Sequence, residues 1–238
     1  MIMPKHGDDI TRTISLESLR IVPLFRDFDV AELAEVAQLV TARRYGKHQT
    51  IFREGDPGQT FYLILEGSVA IVRIAPDGRE TILSILKERD FFGEMSIFDS
   101  SVRAASVRTL TEVEVGVIER DDFLALIDRS PRIGRLLVIS LSERLRAANK
   151  MIAATASQDI RSRLASVLLN LMQNFGEPVS NGTRISLRLT NQEMANMIGT
   201  TRETVNRTLN RFWDERLIDM RTSHVVIVEP DRLRAMVS

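Results

Sequence analysis

The chain has 238 residues, 32 Lys+Arg against 32 Asp+Glu, 44% hydrophobic residues and no cysteine. That length suits two modest domains and a connector, and the composition is ordinary for a soluble globular protein. Disulfides and cysteine-ligated iron–sulfur clusters are excluded, and no apolar run approaches the roughly 20 residues of a membrane span, so no membrane partner is expected. His6, His48 and His224 are scattered without ligand spacing, which predicts no metal site. The first residues, MIMPKHGDDITRTIS, lack an apolar signal core, so no secretory signal is expected and the chain reads as cytoplasmic. Without a Walker loop, dinucleotide fingerprint or GxSxG elbow, nothing in the chain reads as an enzyme.

The first half reads as closely spaced strands. Phe61-Tyr62-Leu63-Ile64-Leu65 and Val69-Ala70-Ile71-Val72 flank the turn Glu66-Gly67-Ser68. Asp77-Gly78, a strong hairpin signal, separates the strand ending near Ile74 from Thr81-Ile82-Leu83-Ser84-Ile85-Leu86. A further turn lies at Gly55-Asp56-Pro57-Gly58. Such spacing predicts an antiparallel barrel or jelly roll. Asp90-Phe91-Phe92-Gly93-Glu94-Met95 and Val102-Arg103-Ala104-Ala105 then sit either side of the polar loop Asp99-Ser100-Ser101.

A long helix is predicted over about 133–155. Val138, Leu141, Leu145, Ala148, Ile152 and Thr155 alternate at three and four residues, the seam of a coiled coil, flanked by Glu143, Arg144, Arg146 and Lys150. The plain alternative is a stripe that packs only on its own barrel.

The segment 190–209 reads as a helix-turn-helix. Thr190 with Glu193 forms a capping-box pattern, and Met194, Met197 and Ile198 mark a buried stripe. Gly199 supplies the turn, Thr200 or Thr201 caps a second helix, and Val205 and Leu209 face inward four residues apart. Arg202, Glu203, Asn206 and Arg207 fall mostly on the other side. A guanidinium can fork onto guanine, and a carboxylate can accept from cytosine, so a Glu among arginines suits base reading better than phosphate gripping. Thr208 stands at a position that usually holds an aliphatic residue; its methyl can still pack. Alternation at Ile185, Leu187 and Leu189 and the run His224-Val225-Val226-Ile227-Val228 predict flanking strands, completing a winged helix-turn-helix. From residue 160 onward there are eleven arginines, no lysine and eight acidic residues, a balance of +3 that points to this half as the anion-binding one.

Together FREGDPGQTFYLILEGSVAI, FFGEMSIF with VRAASV, and TTRETVNR resemble the cyclic-AMP receptor protein family, the Crp/Fnr group of bacterial transcription regulators, over roughly residues 20–229. Double-stranded DNA is the partner that resemblance implies, since the family's founding member binds it through such a helix-turn-helix. The implied fold is α+β: an N-terminal antiparallel jelly-roll, cyclic-nucleotide-binding barrel (1–130), a dimerisation helix (131–158) and a C-terminal winged helix-turn-helix (159–238). Residue by residue, Glu94 matches the carboxylate that binds the ribose 2′-hydroxyl, Gly93 the glycine of close backbone approach, and Arg103 the clamp on the cyclic phosphate. Met95, Ala104 and Ala105 complete that set, the last two with backbone donors.

Two positions depart from the family. Ala104 replaces a common Ser or Thr, and Ala148-Asn149 stands where the founding member contacts adenine; Asn149 offers both donor and acceptor there. Cyclic AMP is the favoured allosteric ligand. A same-family regulator independent of cyclic nucleotides, or answering to another small molecule, is the first alternative, and a cyclic-nucleotide-binding interaction module the second. An ion pair between Glu94 and Arg103 in a differently used barrel is the structural alternative at the site. The resemblance makes Val138, Leu141, Leu145, Ala148 and Ile152 a homodimer interface. It assigns Thr190, Thr201, Arg202, Glu203, Asn206 and Arg207 to the DNA-facing set and implies a TGTGA-like half-site. In the family a surface comparable to the turn-rich stretch 175–182 can touch RNA polymerase.

Overall fold

The computed structural model describes residues 8–9, 14–99 and 101–237. They form two compact units. The first runs to Ile74 and resumes over Ile82–Leu145; the second comprises Ala75–Thr81 and the chain from Arg146 onward.

In the first unit β1 (Asp8–Asp9), α1 (Leu16–Arg20) and α2 (Val30–Leu39) precede a run of strands. These are β2 (Thr41–Tyr45), β3 (Thr50–Phe52), β4 (Thr60–Glu66), β5 (Ser68–Ile74), β6 (Glu80–Lys87) and β7 (Phe91–Phe92). Then come α3 (Met95–Asp99), β8 (Ser106–Thr109), β9 (Val113–Glu119), α4 (Arg120–Arg129) and the long α5 (Pro131–Ser157). The strands make two antiparallel sheets, in the orders β1-β2-β9-β4-β7 and β3-β8-β5-β6. The predicted turns are where the chain reverses: Gly55, Gly67 and Gly78 all have φ between 82° and 88°, a region open to glycine at little cost.

Strand alternation divides the core in two. On β4, Phe61 and Leu63 point into a cluster shared with α1, α2, α4 and the start of α5, whereas Tyr62 and Ile64 point into the barrel. On β7, Phe91 joins the helical side and Phe92 the barrel side, which delivers the following Gly93-Glu94 to the boundary between them. A strand buried on both faces explains why β4 reads as a continuous apolar run rather than an alternating one.

The second unit contains α6 (Ile160–Phe175), β10 (Gly176–Val179), β11 (Gly182–Ile185), α7 (Asn191–Ile198), α8 (Arg202–Asp214), β12 (Ile218–Asp219), β13 (Val226–Ile227) and α9 (Pro230–Ala235). Asp159 caps α6 by accepting from the Ser162 amide at 2.8 Å. Leu164, Leu168 and Leu171 of α6 are buried, as are Met194 and Ile198 of α7 and Val205, Leu209 and Phe212 of α8. A four-stranded antiparallel sheet, β10-β11-β13-β12, forms the wing.

Two expected strands are shorter than the sequence suggested. The stretch through Leu187 and Leu189 lies beyond β11: the ladder runs one step further, with the Ser186 amide on the Phe175 carbonyl at 2.8 Å, and stops there because Phe175 is the last residue of α6; Leu187 still packs inward. The β-branched run after His224 pairs only at Val226 and Ile227, opposite Arg184 and Thr183 of β11 on one side and the two residues of β12 on the other.

Candidate functional site

Arg103 is the centre of the barrel site. It is 3% exposed, and its guanidinium lies 4.2 Å from the Phe52 ring centroid and 5.6 Å from that of Tyr62. Nη1 donates to the Gly93 carbonyl (2.8 Å) and Ser96 Oγ (2.9 Å); Nη2 donates to the carbonyl and Oγ1 of Thr60, both at 2.8 Å. All four acceptors are neutral. Among the described residues Nε has no partner, and burial pulls the guanidinium pKa down. A buried cation bonded only to neutral acceptors is costly.

Gly93 has φ +86°, and a Cβ there would stand 2.8 Å from Arg103 Nη1 and 2.9 Å from the Thr60 carbonyl oxygen. Gly58 is equally confined: a Cβ would meet Ser96 Oγ at 2.1 Å. These two glycines let the loops close around the guanidinium. Met95 opens α3 and is 58% exposed. Ala104 is exposed and Ala105 half-buried, and no described acceptor takes either amide N–H, leaving two donors beside Arg103 in sequence.

Glu94 is also 3% exposed, but its partner is not Arg103. Arg144 of α5 reaches Glu94 Oε1 at 3.2 Å through Nη1, donates to the Phe91 carbonyl at 2.6 Å through Nη2, and stacks 4.6 Å above the Phe91 ring. The alternative of a Glu94–Arg103 ion pair is therefore corrected: Arg103 acts on Glu94 only through space. Burial raises the Glu94 pKa, opposed by Arg144, the Glu94 amide and Arg103.

Arg144, Thr60, Ser96, Phe52 and Tyr62 are the residues that sequence reasoning missed at this site. Arg144 is legible in the sequence only as a coiled-coil flank, because its partner is 50 positions away. Asn149 lies exposed on α5, five residues beyond Arg144, about 7.5 Å along the axis.

On the same helix Val138, Leu145 and Ile152 are 64%, 63% and 69% exposed, with Leu141 half-buried and Ala148 exposed. Steps of seven align the three large ones on one line, an apolar stripe open in the single chain.

The helix-turn-helix forms as its local signals dictate. Thr190 and Glu193 make the full capping box: the Thr190 hydroxyl accepts from the Glu193 amide at 3.1 Å and pairs with Glu193 Oε2 at 2.9 Å. That hydroxyl is thus committed to the cap of α7. Gly199 makes the turn at φ +64°, and Thr201, rather than Thr200, caps α8 through the Thr204 amide at 3.2 Å. Thr208 is buried and donates to the Thr204 carbonyl at 2.8 Å, so its hydroxyl is satisfied within the helix.

Arg202, Glu203, Asn206 and Arg207 are all exposed. Glu203, Asn206 and Arg207, with Asn210, Arg211 and Asp214 further along, line a shallow concavity. Asn191 of α7 donates to Asn206 Oδ1 at 3.4 Å. The Glu203 pKa is lowered by its own backbone amide and the Thr201 hydroxyl, so the carboxylate is kept ionised as an acceptor. Among the described residues no cluster of metal-ligating side chains occurs, and no helix is long and apolar enough to cross a membrane.

Residues 42–130 match the model of the cyclic nucleotide-binding domain, and residues 162–236 that of the Crp-like helix-turn-helix domain. The chain is 36% identical over 217 residues to a CRP-like cAMP-activated global transcriptional regulator of Mycobacterium tuberculosis, covering 91% of this chain and 97% of that one. It is 31% identical to the cyclic AMP receptor protein of Thermus thermophilus, over 87% of this chain and 93% of the relative. Among solved structures it resembles the c-di-GMP responsive global regulator CLP of Xanthomonas campestris, with TM-score 0.71 and 30% identity, over 84% of this chain and 99% of that one. The family's proteins are regulators of transcription, not enzymes. A sensor barrel with a buried arginine, joined in one chain to a helix-turn-helix, places this protein in the Crp/Fnr family, as a DNA-binding transcription regulator with a cyclic-nucleotide-binding domain.

Proposed function

We propose that the chain acts as a homodimer whose affinity for a pseudo-palindromic, TGTGA-like operator is set by a cyclic nucleotide, cyclic AMP in the first place. Arg103 is the main support: a buried guanidinium held by four neutral acceptors, with Nε unpaired. A cyclic phosphate supplies the missing charge, the Ala104 and Ala105 amides supply further donors, and Glu94 accepts from a ribose hydroxyl. Glu94 cannot serve a sugar fully while Arg144 holds it, so ligand binding competes with a contact made by α5. A ligand with different affinity for the two arrangements of Arg144 shifts their populations, and Asn149, on the next turn and a half, would address the base.

The exposed stripe Val138, Leu145 and Ile152, which a second copy of α5 would cover, supports dimerisation. Two base-reading faces related by a dyad then read inverted half-sites about one helical turn apart. The division into barrel (1–130), dimer helix (131–158) and DNA-binding domain (159–238), the cytoplasmic setting, and contact with RNA polymerase through the surface around 175–182 belong to the same reading.

A second reading is favoured by Ala104, which offers no hydroxyl to a phosphate: a regulator that answers to another small molecule or to none. The relative named as c-di-GMP responsive adds that dinucleotide to the ligands worth testing. An interaction module without DNA binding is disfavoured by the exposed Arg202, Glu203, Asn206 and Arg207 face. Calorimetric titration with cyclic AMP, cyclic GMP and c-di-GMP, followed by operator affinity with each, separates these. Heat with cyclic AMP and tighter operator binding supports the first reading; silence with all three, beside unchanged operator affinity, supports ligand independence.

A further inference from the structure

Of the eleven arginines in 160–238, six donate from the side chain to acceptors in their own unit, among them Arg161 to Glu215 and Arg163 to the Ile198 carbonyl, at 2.7 and 2.8 Å. The remaining five are Arg188, Arg202, Arg207, Arg211 and Arg216, and no side-chain hydrogen bond or ion pair holds any of them among the described residues. Three of these five lie on α8. Arg202 and Arg207 already belong to the base-facing set; Arg211 does not.

We propose that Arg211 grips a backbone phosphate flanking each half-site, extending the α8 contact past the bases. This rests on the reading of α8 as a base-reading helix. Arg211 is exposed and lies one turn beyond Arg207 on the same concave stripe as Glu203. Eight residues separate it from Glu203, about 12 Å of helix axis. A recognition helix that puts its N-terminal turns against base edges carries its later turns out toward the rim of a major groove about 12 Å wide and 8.5 Å deep, where phosphates rather than bases lie within reach. Asp214, three residues on, does not bond to Arg211, so the cation is not neutralised in place. An unpaired arginine at that position is an electrostatic contact awaiting an anion, and duplex phosphate is the anion this face meets.

The test uses the full-length protein, its Arg211→Gln variant and its Arg211→Lys variant, against a symmetric TGTGA-type duplex and a scrambled duplex from 50 to 200 mM salt. Loss of one phosphate contact flattens the slope of log affinity against log salt by about 0.9 per subunit. The expected result is that Arg211→Gln flattens it on both duplexes alike with unchanged base preference and Tm. Arg211→Lys, which keeps the point charge, retains the parent slope. An unchanged slope in Arg211→Gln, a loss confined to one base-pair position, or failure of Arg211→Lys to hold the slope overturns the proposal. If the parent itself cannot tell the two duplexes apart, the base-reading function fails instead, while the slope on scrambled DNA still decides on Arg211.

Discussion

Arg144 and Glu94 form a part-buried ion pair at 3.2 Å that ties the long helix to the loop after β7. The carboxylate side is 5% exposed and the guanidinium side 29%, so the acid depends on the base more than the reverse. The same guanidinium stacks on Phe91 of β7 and bonds to its carbonyl, so the helix is fixed to β7 and the loop after it by three interactions of one side chain.

A double-mutant cycle measures that tie. Arg144→Met leaves Glu94 buried without its partner and is expected to cost about 1–3 kcal/mol, less than a fully buried pair because Arg144 is partly solvated. With Glu94→Gln in the background the same change should cost less, giving a coupling energy of about 1 kcal/mol by urea unfolding at pH 7. Strictly additive effects would show that the pair is geometric only.

Stability should depend on pH through Glu94. Burial is the largest influence on this carboxyl and raises its folded pKa. A raised pKa means the stabilising contribution is complete below the unfolded value, about 4.3, and is lost as pH rises through the folded value. Glu94→Gln removes that loss. The Tm difference between Glu94→Gln and the parent should therefore grow in favour of the variant from about pH 4 upward. Parallel curves for the two proteins would contradict this.

The apolar stripe predicts a separable defect. Leu145 is exposed in the single chain, so Leu145→Glu should leave the fold and Tm of a monomer intact while abolishing dimers in sedimentation velocity. Operator affinity should drop by roughly tenfold or more, since two half-sites are no longer linked. A variant that stays dimeric places the interface elsewhere.

Arg207 should behave unlike Arg211. Arg207→Ala is expected to cost about 1–3 kcal/mol on the preferred duplex and to relax preference at one base pair, the mark of a base-edge contact. Equal weakening on every sequence would make Arg207 a phosphate contact as well.

Local features of the fold are written in the chain. The capping box of Thr190 and Glu193, the left-handed Gly199 and the inward pair Val205 and Leu209 all act within about 20 residues, where backbone preference and helix period set the outcome. The β4, β5 and β6 hairpins follow from Gly67 and Gly78, and the seven-residue step of Val138, Leu145 and Ile152 is visible as periodicity. Long-range features needed the folded backbone. Strand length depends on which partner residues lie opposite, and the run after His224 pairs over only two. Which carboxylate meets which guanidinium depends on packing across 50 positions: Glu94 goes to Arg144, and Arg103 is left with Thr60, Gly93 and Ser96. Charge attraction is nearly indifferent to sequence separation, so only tertiary packing chooses among the available partners.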